Sequence, residues 1–199
     1  MLMLALTTLG MAAEESAGEE ASDNAPDLPE LLSHLAETGN ESMRFEETRP
    51  SSLLAEPVTV TGTLQRDGDR LIRETSTPRR ETQTLTASHV EIRRPGGFRQ
   101  RFSLSRAPEL AALRQALLAL LDGNLDQLDQ HFKHALAWEE QAWTLELTPR
   151  GPDTAERVHK LTLAGQEYRL ESMTLELTDG DQIQTRFLRP ESEHDSSSE

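Results

Sequence analysis

The chain has no cysteine in its 199 residues. Disulfides, thiolate catalysis, a cysteine-based zinc site and a lipidated N-terminal cysteine are therefore excluded. An excess of basic charge is equally missing. The formal net charge is −15 and the isoelectric point about 4.8. Both a nucleic-acid partner and an electrostatic footing on anionic lipid call for a basic patch, so the overall charge argues against each. The acidity is uneven, concentrated in residues 14–47, whereas residues 93–114 are locally basic. Lysine is scarce and arginine plentiful, which reads as a bias of source or salt habitat and not of function. No Gly-x-Ser-x-Gly elbow, phosphate-binding glycine loop, nucleotide fingerprint or internal repeat occurs.

The chemistry that could still be built is thin. His131 and His134 stand three apart with Glu139 nearby, but one falls at the end of a helical pattern and the other at the start of a strand. That spacing does not bring both to one face, so no metal site is expected. Asp122-x-Asn124-x-Asp126 resembles the start of a calcium loop, yet Gln127 replaces the needed glycine and Lys133 the closing glutamate. Helix capping explains these residues better. The Asp-Gly pairs are turn residues. The expectation is a non-enzymatic protein with no cofactor and no metal.

What is present is organised around residues 108–122, PELAALRQALLALLD. Leu110, Leu113, Leu117, Leu118, Leu120 and Leu121 fill a broad arc of a helix, alanines take most of the remainder, and only Arg114 and Gln115 are polar between Leu110 and Leu121. At about 1.5 Å per residue the helix is roughly 20 Å long, too short for a bilayer and long enough to lie across a small sheet. Such a helix needs cover on more than one side. It is either a core helix on a sheet or a lid over an apolar cavity.

Residues 1–13, MLMLALTTLGMAA, read as the apolar core of a secretory signal ending in Gly10-Met11-Ala12, although the basic n-region is missing. Residues 14–26 read as a disordered acidic spacer and 190–199 as a disordered acidic tail. The folded part, residues 27–189, suits one domain. It opens with a short amphipathic helix on Leu28, Leu31, Leu32 and Leu35, which Gly39 can end.

From Ser42 the apolar period falls to two. Strands are predicted around Phe45, over Val58–Leu64, and after the Asp67-Gly68-Asp69 turn at residues 70–75. Others follow at 81–88, 89–94 and 98–105. After the central helix, Asp122-Gly123-Asn124 leads to a second short helix on Leu125 and Leu128. Strands then resume at 132–140, 142–148, 158–164, 167–177 and 182–188. A parity shift between Leu170 and Met173 predicts a bulge near Glu171-Ser172.

The fold class is thus α+β, mainly antiparallel β. About eleven strands form a meander that curls into a half-open curved barrel, with an N-terminal helix before it and a helical hairpin inserted midway. Phe98, Phe102, Trp138, Trp143, Leu145 and Phe187 are the large strand residues available to line a concave interior, beneath Leu110, Leu113, Leu117, Leu120 and Leu121 of the helix. Ordinary core is one account of them. A pocket for acyl chains under a helical lid hinged at Gly123 is the other.

In consistent order the chain carries Phe45-x-Glu47-x-Arg49, Leu54-x-x-Pro57 and Gly62-x-Leu64. Asp69-Arg70-Leu71-x-Arg73-x-Thr75-x-x-Pro78-x-x-Glu81, Leu120-Leu121-x-Gly123, Phe132, Trp143-x-Leu145-x-Leu147-x-Pro149 and Asp179-Gly180-Asp181 complete the set. This succession resembles the periplasmic outer-membrane lipoprotein carrier and, more closely, its LolA-like relatives. The resemblance implies an eleven-stranded half-barrel, a helical lid, and a hydrophobic cavity for the acyl chains of a lipoprotein or other lipid, without catalysis. It further implies a periplasmic location, with inner-membrane donor and outer-membrane acceptor proteins as partners. The missing cysteine favours the soluble carrier type over the lipid-anchored receptor type. The carrier's lid-latching Arg-Pro has no counterpart in Arg66-Asp67-Gly68-Asp69, which implies a less tightly controlled lid. A competing reading is a periplasmic protein-binding or sensing module using the same curved sheet.

Overall fold

A computed structural model describes residues 25–38, 42–49 and 57–188. The expected signal, acidic spacer and acidic tail lie outside the described residues, as do Gly39 and most of the irregular stretch before Val58.

Helix α1 (Leu28–Thr38) is followed by strands β1 (Met43–Arg49), β2 (Val58–Asp67), β3 (Arg70–Thr77), β4 (Glu81–Leu85), β5 (His89–Arg94) and β6 (Phe98–Ser103). A 3-10 turn (Leu104–Arg106) leads into α2 (Pro108–Leu121) and α3 (Leu125–His131). Then come β7 (Phe132–Glu139), β8 (Ala142–Pro149), the one-turn helix α4 (Pro152–Ala155), β9 (Val158–Gln166), β10 (Arg169–Leu177) and β11 (Gln182–Leu188).

All eleven strands form one antiparallel sheet in the order β6-β5-β4-β3-β2-β1-β11-β10-β9-β8-β7. The simple meander expected from the sequence is therefore two meanders, β1–β6 and β7–β11, joined where the first and last strands pair. Phe45 sits opposite Phe187, and Glu47 opposite Thr185, at that seam. The free edges are β6 and β7, the two strands between which α2 and α3 are inserted. The helical hairpin is thus the connection between the two free edges of an unclosed half-barrel, with α2 against β9 and α3 against β7.

Two of the sheet's three register irregularities are matched, the third lying between Glu176 and Leu177 of β10. In the first meander the β2–β3 register slips between Thr61 and Gly62; in the second the β9–β10 register slips between Leu170 and Ser172, at the predicted bulge. Each slip has a glycine opposite it with an aromatic ring against it. A methyl group on Gly62 would stand 1.9 Å from the Glu74 carbonyl oxygen and 3.0 Å from the Phe45 ring. On Gly165 it would stand 2.0 Å from the Arg169 carbonyl oxygen and 2.5 Å from the Trp143 ring. Glycine at a bulge lets the backbones close and the sheet bend, and the rings of Phe45 and Trp143 fill the space its missing side chain leaves.

The concave face carries the core. Leu64, Leu71, Leu85 and Val90 line it in the first meander, and Leu145, Leu147, Leu161 and Leu163 in the second. Leu31, Leu32 and Leu35 of α1 join the same cluster from the helical layer.

Gly62→Ala and Gly165→Ala should each lose about 1–3 kcal/mol, the usual cost of overpacking. Gly151→Ala, whose methyl would meet nothing nearer than the Thr154 hydroxyl at 4.0 Å, should stay within about 0.5 kcal/mol of wild type. Urea midpoints of the three variants check this, and equal midpoints would refute the bending role.

Candidate functional site

The site begins with α2. Proline at its first position suits a helix start, where the missing N–H costs nothing. At its other end the Asn124 N–H donates to the Ala119 carbonyl (2.9 Å) and the Gly123 N–H to that of Leu120 (3.3 Å). Gly123 has φ +63°, the left-handed residue such a closing turn requires. Asn124 then caps α3, its side-chain oxygen accepting from the Gln127 N–H at 2.9 Å. The hairpin is therefore made by three consecutive residues.

Between those ends α2 is covered on nearly every side. Ala112, Ala116, Leu117, Leu118, Ala119, Leu120 and Leu121 are all buried. The helix touches β9 and is flanked by α1, α3 and α4. Cover from both sheet and helices is what its sequence demanded, since leucine and alanine occupy almost the whole circumference. At about 1.5–3 kcal/mol per fully buried leucine, Leu117, Leu118, Leu120 and Leu121 represent on the order of 6–12 kcal/mol of apolar burial.

The residues expected to form the acyl-chain cavity fall into three groups. Leu117, Leu120, Leu121, Trp143 and Leu145 are buried in one continuous core. Leu110, Leu113, Phe102 and Trp138 are half-buried and pack against that core. Phe98 departs from the expectation. It shares the concave-face register of β6, but it lies at the free end of the edge strand, 43% exposed, with the Arg94 guanidinium 4.6 Å from its ring centre.

Two polar devices were not legible in the sequence. The first fastens α2 to the β2–β3 turn. Arg66 pairs with Asp122 at the C-terminal end of α2 and donates to the Leu121 carbonyl at 3.4 Å. Arg114, on the helix itself, donates to the Asp69 carbonyl at 2.6 Å. Burial lowers the Arg114 pKa from its ordinary value, with the Asp69 carboxylate opposing the shift. The stretch Arg66-Asp67-Gly68-Asp69, which lacks the carrier's Arg-Pro, nonetheless contacts the helix twice: Arg66 reaches its C-terminal end and Arg114 reaches back to the turn. Partners more than forty residues apart leave no local signal, so only the pairing of the turn with the helix reveals them.

The second device sits inside the sheet. Glu47, 5% exposed, accepts from Arg73 at 3.0 Å and from the Thr185 hydroxyl at 3.1 Å, and also pairs with Arg49. Arg73 lies 4.5 Å from the centre of the Phe45 ring. Burial lowers the Arg73 pKa while Glu47 acts to raise it. Through Thr185, β1 and β3 are tied to β11, so the cluster clamps the seam between the two meanders. A signal existed: Glu47 and Arg73 occupy apolar parity positions beside Phe45 and Leu71.

Four buried side-chain polar atoms among the described residues have no hydrogen-bond partner: Glu109 Oε2, Arg114 Nε, Trp138 Nε1 and Trp143 Nε1. All belong to α2 or to the tryptophans that face each other across β7 and β8. His134 pairs with Asp129 at 2.9 Å, and no group of three or more metal-ligating side chains occurs among the described residues. No described helix is long and apolar enough to cross a membrane.

An open antiparallel half-barrel, its concave face apolar and roofed by a helical hairpin, defines a class of α+β proteins built around a coverable greasy surface. The chain belongs to the family described as outer membrane lipoprotein carrier protein LolA-like, whose model matches residues 20–192. No curated protein matches it. Among solved structures it is similar to a LolA superfamily protein, NE2245 from Nitrosomonas europaea, at 11% identity and a TM-score of 0.43, covering 83% of this chain and 93% of that one. LprF from Mycobacterium bovis aligns at 11% identity and a TM-score of 0.34, over 83% and 93% of the two chains. The MucA/MucB complex of Pseudomonas aeruginosa aligns at 16% identity and a TM-score of 0.39, over 81% of this chain and 56% of that one.

Glu47→Ala should cost about 3–5 kcal/mol, because it leaves the Arg73 charge buried without its partner. Arg66→Ala should cost under about 1 kcal/mol, since the Arg66 and Asp122 side chains are 26% and 30% exposed. Chemical denaturation of both variants tests the contrast, and a larger loss from Arg66→Ala would contradict the assignment of clamp and latch.

Proposed function

We propose that the protein is a periplasmic carrier that shields the acyl chains of a lipoprotein or other lipid on its concave face, for transfer towards the outer membrane. An inner-membrane donor would supply the cargo and an outer-membrane acceptor would take it. Membership of a family of lipoprotein carriers supports the reading. The observation that carries it is the placement of α2: an apolar helix, buried nearly all round, laid against β9 and held to the β2–β3 turn by Arg66 and Arg114.

In this account α2 and α3 swing away from the sheet, and Gly123 serves as the hinge. Its freedom is bounded, because a methyl group there would meet Ala36 at 3.2 Å and the Leu32 carbonyl at 3.3 Å. The Arg66–Asp122 and Arg114–Asp69 contacts break as the helix leaves. Opening gives up the roughly 6–12 kcal/mol of leucine burial on α2. An acyl chain of about fifteen methylenes, at roughly 0.8 kcal/mol each, returns on the order of 12 kcal/mol before ordering costs. The two quantities are comparable, so cargo substitutes for the lid's own leucines. One chain roughly balances the exchange, and a lipid with two or three chains drives it. Release then requires the reverse substitution, with α2 settling back as the chains leave.

A fluorescent fatty acid or lipopeptide titrated into the protein should give saturable binding. Leu110→Asp or Leu113→Asp, at half-buried positions, should weaken that binding at least tenfold while moving the urea midpoint little. Leu117→Asp, fully buried, should lose folding as well. Absence of any signal at saturating lipid, or parallel loss of binding and stability in the Leu110 and Leu113 variants, would refute the carrier reading in favour of plain core.

A further inference from the structure

The overall charge of −15 conceals a segregation. Residues 70–106 contain nine arginines against three glutamates, a balance of +6 within an acidic chain. The pairing of β3 with β4 and of β5 with β6 brings two of this segment's turns together at one end of the half-barrel, beside the free edge. Residues 74–76 and 80–82 from the first and Arg93, Arg94 and Pro95 from the second line one cleft of about 450 Å³, in which Arg94 pairs with Glu81 at 2.6 Å and Glu74 is a second carboxylate. Arg79 and Arg80 are exposed and make no hydrogen bond or ion pair among the described residues. Arg93 and Arg99 share the single carboxylate of Glu91, with their side chains 58% and 62% exposed. Phe98 projects in their midst with Arg94 against its ring.

We propose that this tip, Phe98 ringed by Arg79, Arg80, Arg93, Arg94 and Arg99, docks the protein onto an anionic lipid surface. The occupant is set by charge and by shape. Arginines around an exposed aromatic ring match a layer of anionic headgroups over an apolar interior, with the guanidinium groups at headgroup level and the ring reaching beneath. An acidic peptide would satisfy the arginines and leave Phe98 unused. The net charge does not oppose the contact. At about 0.1 M salt, charges further than about 10 Å are largely screened, so the local composition of this face, and not the overall charge, governs its contacts. Docking reads surface partition and not lipid extraction, so it succeeds or fails separately from acyl-chain binding.

The test is co-sedimentation of the full chain with vesicles of equal parts phosphatidylglycerol and phosphatidylethanolamine, compared with vesicles of phosphatidylcholine alone. Binding is expected to the anionic vesicles only and to fall at high salt. Each arginine near the surface is worth about fivefold, so the combined change Arg79→Gln, Arg80→Gln, Arg99→Gln should weaken partition by roughly a hundredfold. Phe98→Ser should weaken it without altering the salt dependence. Arg157→Gln, an exposed arginine outside the segment, should have no effect. Because all these side chains are surface groups, unchanged urea midpoints confirm that folding is intact. Equal partition into both vesicle types, full retention by the triple variant, or saturable binding to polyglutamate with no vesicle partition would each overturn the proposal.

Discussion

Everything in this molecule follows from the need to keep one apolar concave surface out of water without closing the sheet around it. An eleven-stranded sheet bent by the Gly62 and Gly165 bulges presents Leu64, Leu71, Leu145, Leu147, Leu161 and Leu163 on its inner face. A closed barrel would bury them permanently. Here β6 and β7 stay apart, and the chain between them supplies the cover. That cover is itself apolar nearly all round, so α1 packs beside it in the same helical layer, against both α2 and β10. The molecule therefore nests one hydrophobic requirement within another.

The polar groups divide into those that hold the frame and those that hold the cover. The Glu47–Arg73–Thr185 cluster is buried and ties the first strands to the last. An ion pair there is costly to break, because each charge has lost its water. The Arg66–Asp122 pair lies nearer solvent, where its strength is modest and water can replace either partner. Frame and cover thus differ in how dearly they come apart.

Much of the fold was legible because burial on one face imposes strict alternation. Val58, Val60 and Leu64 announced β2, and the parity change after Leu170 located a bulge that the register confirms. The capping role of Asn124 was legible for the same local reason. What escaped was non-local or too short. The β1–β11 pairing joins strands from opposite ends of the chain, and no sequence period encodes it. Helix α4 has four residues, below the length at which an apolar period exists. The grip of Arg66 on Asp122 spans the first meander. Phe98 was placed on the correct face, but not at the strand's free end, so its exposure inverts the role first assigned to it.

If α2 and α3 are a cover, they leave the sheet while the sheet stays folded. Amide hydrogen exchange with and without a long-chain lipopeptide tests this most directly. The account predicts that amides of α2 and α3 exchange through an opening well below the free energy of global unfolding, while those of β8, β9 and β10 exchange only on global unfolding. Lipopeptide should slow exchange in the helices selectively. Exchange of α2 at the same free energy as β9, indifferent to lipopeptide, would show the helix to be fixed core and would contradict the account.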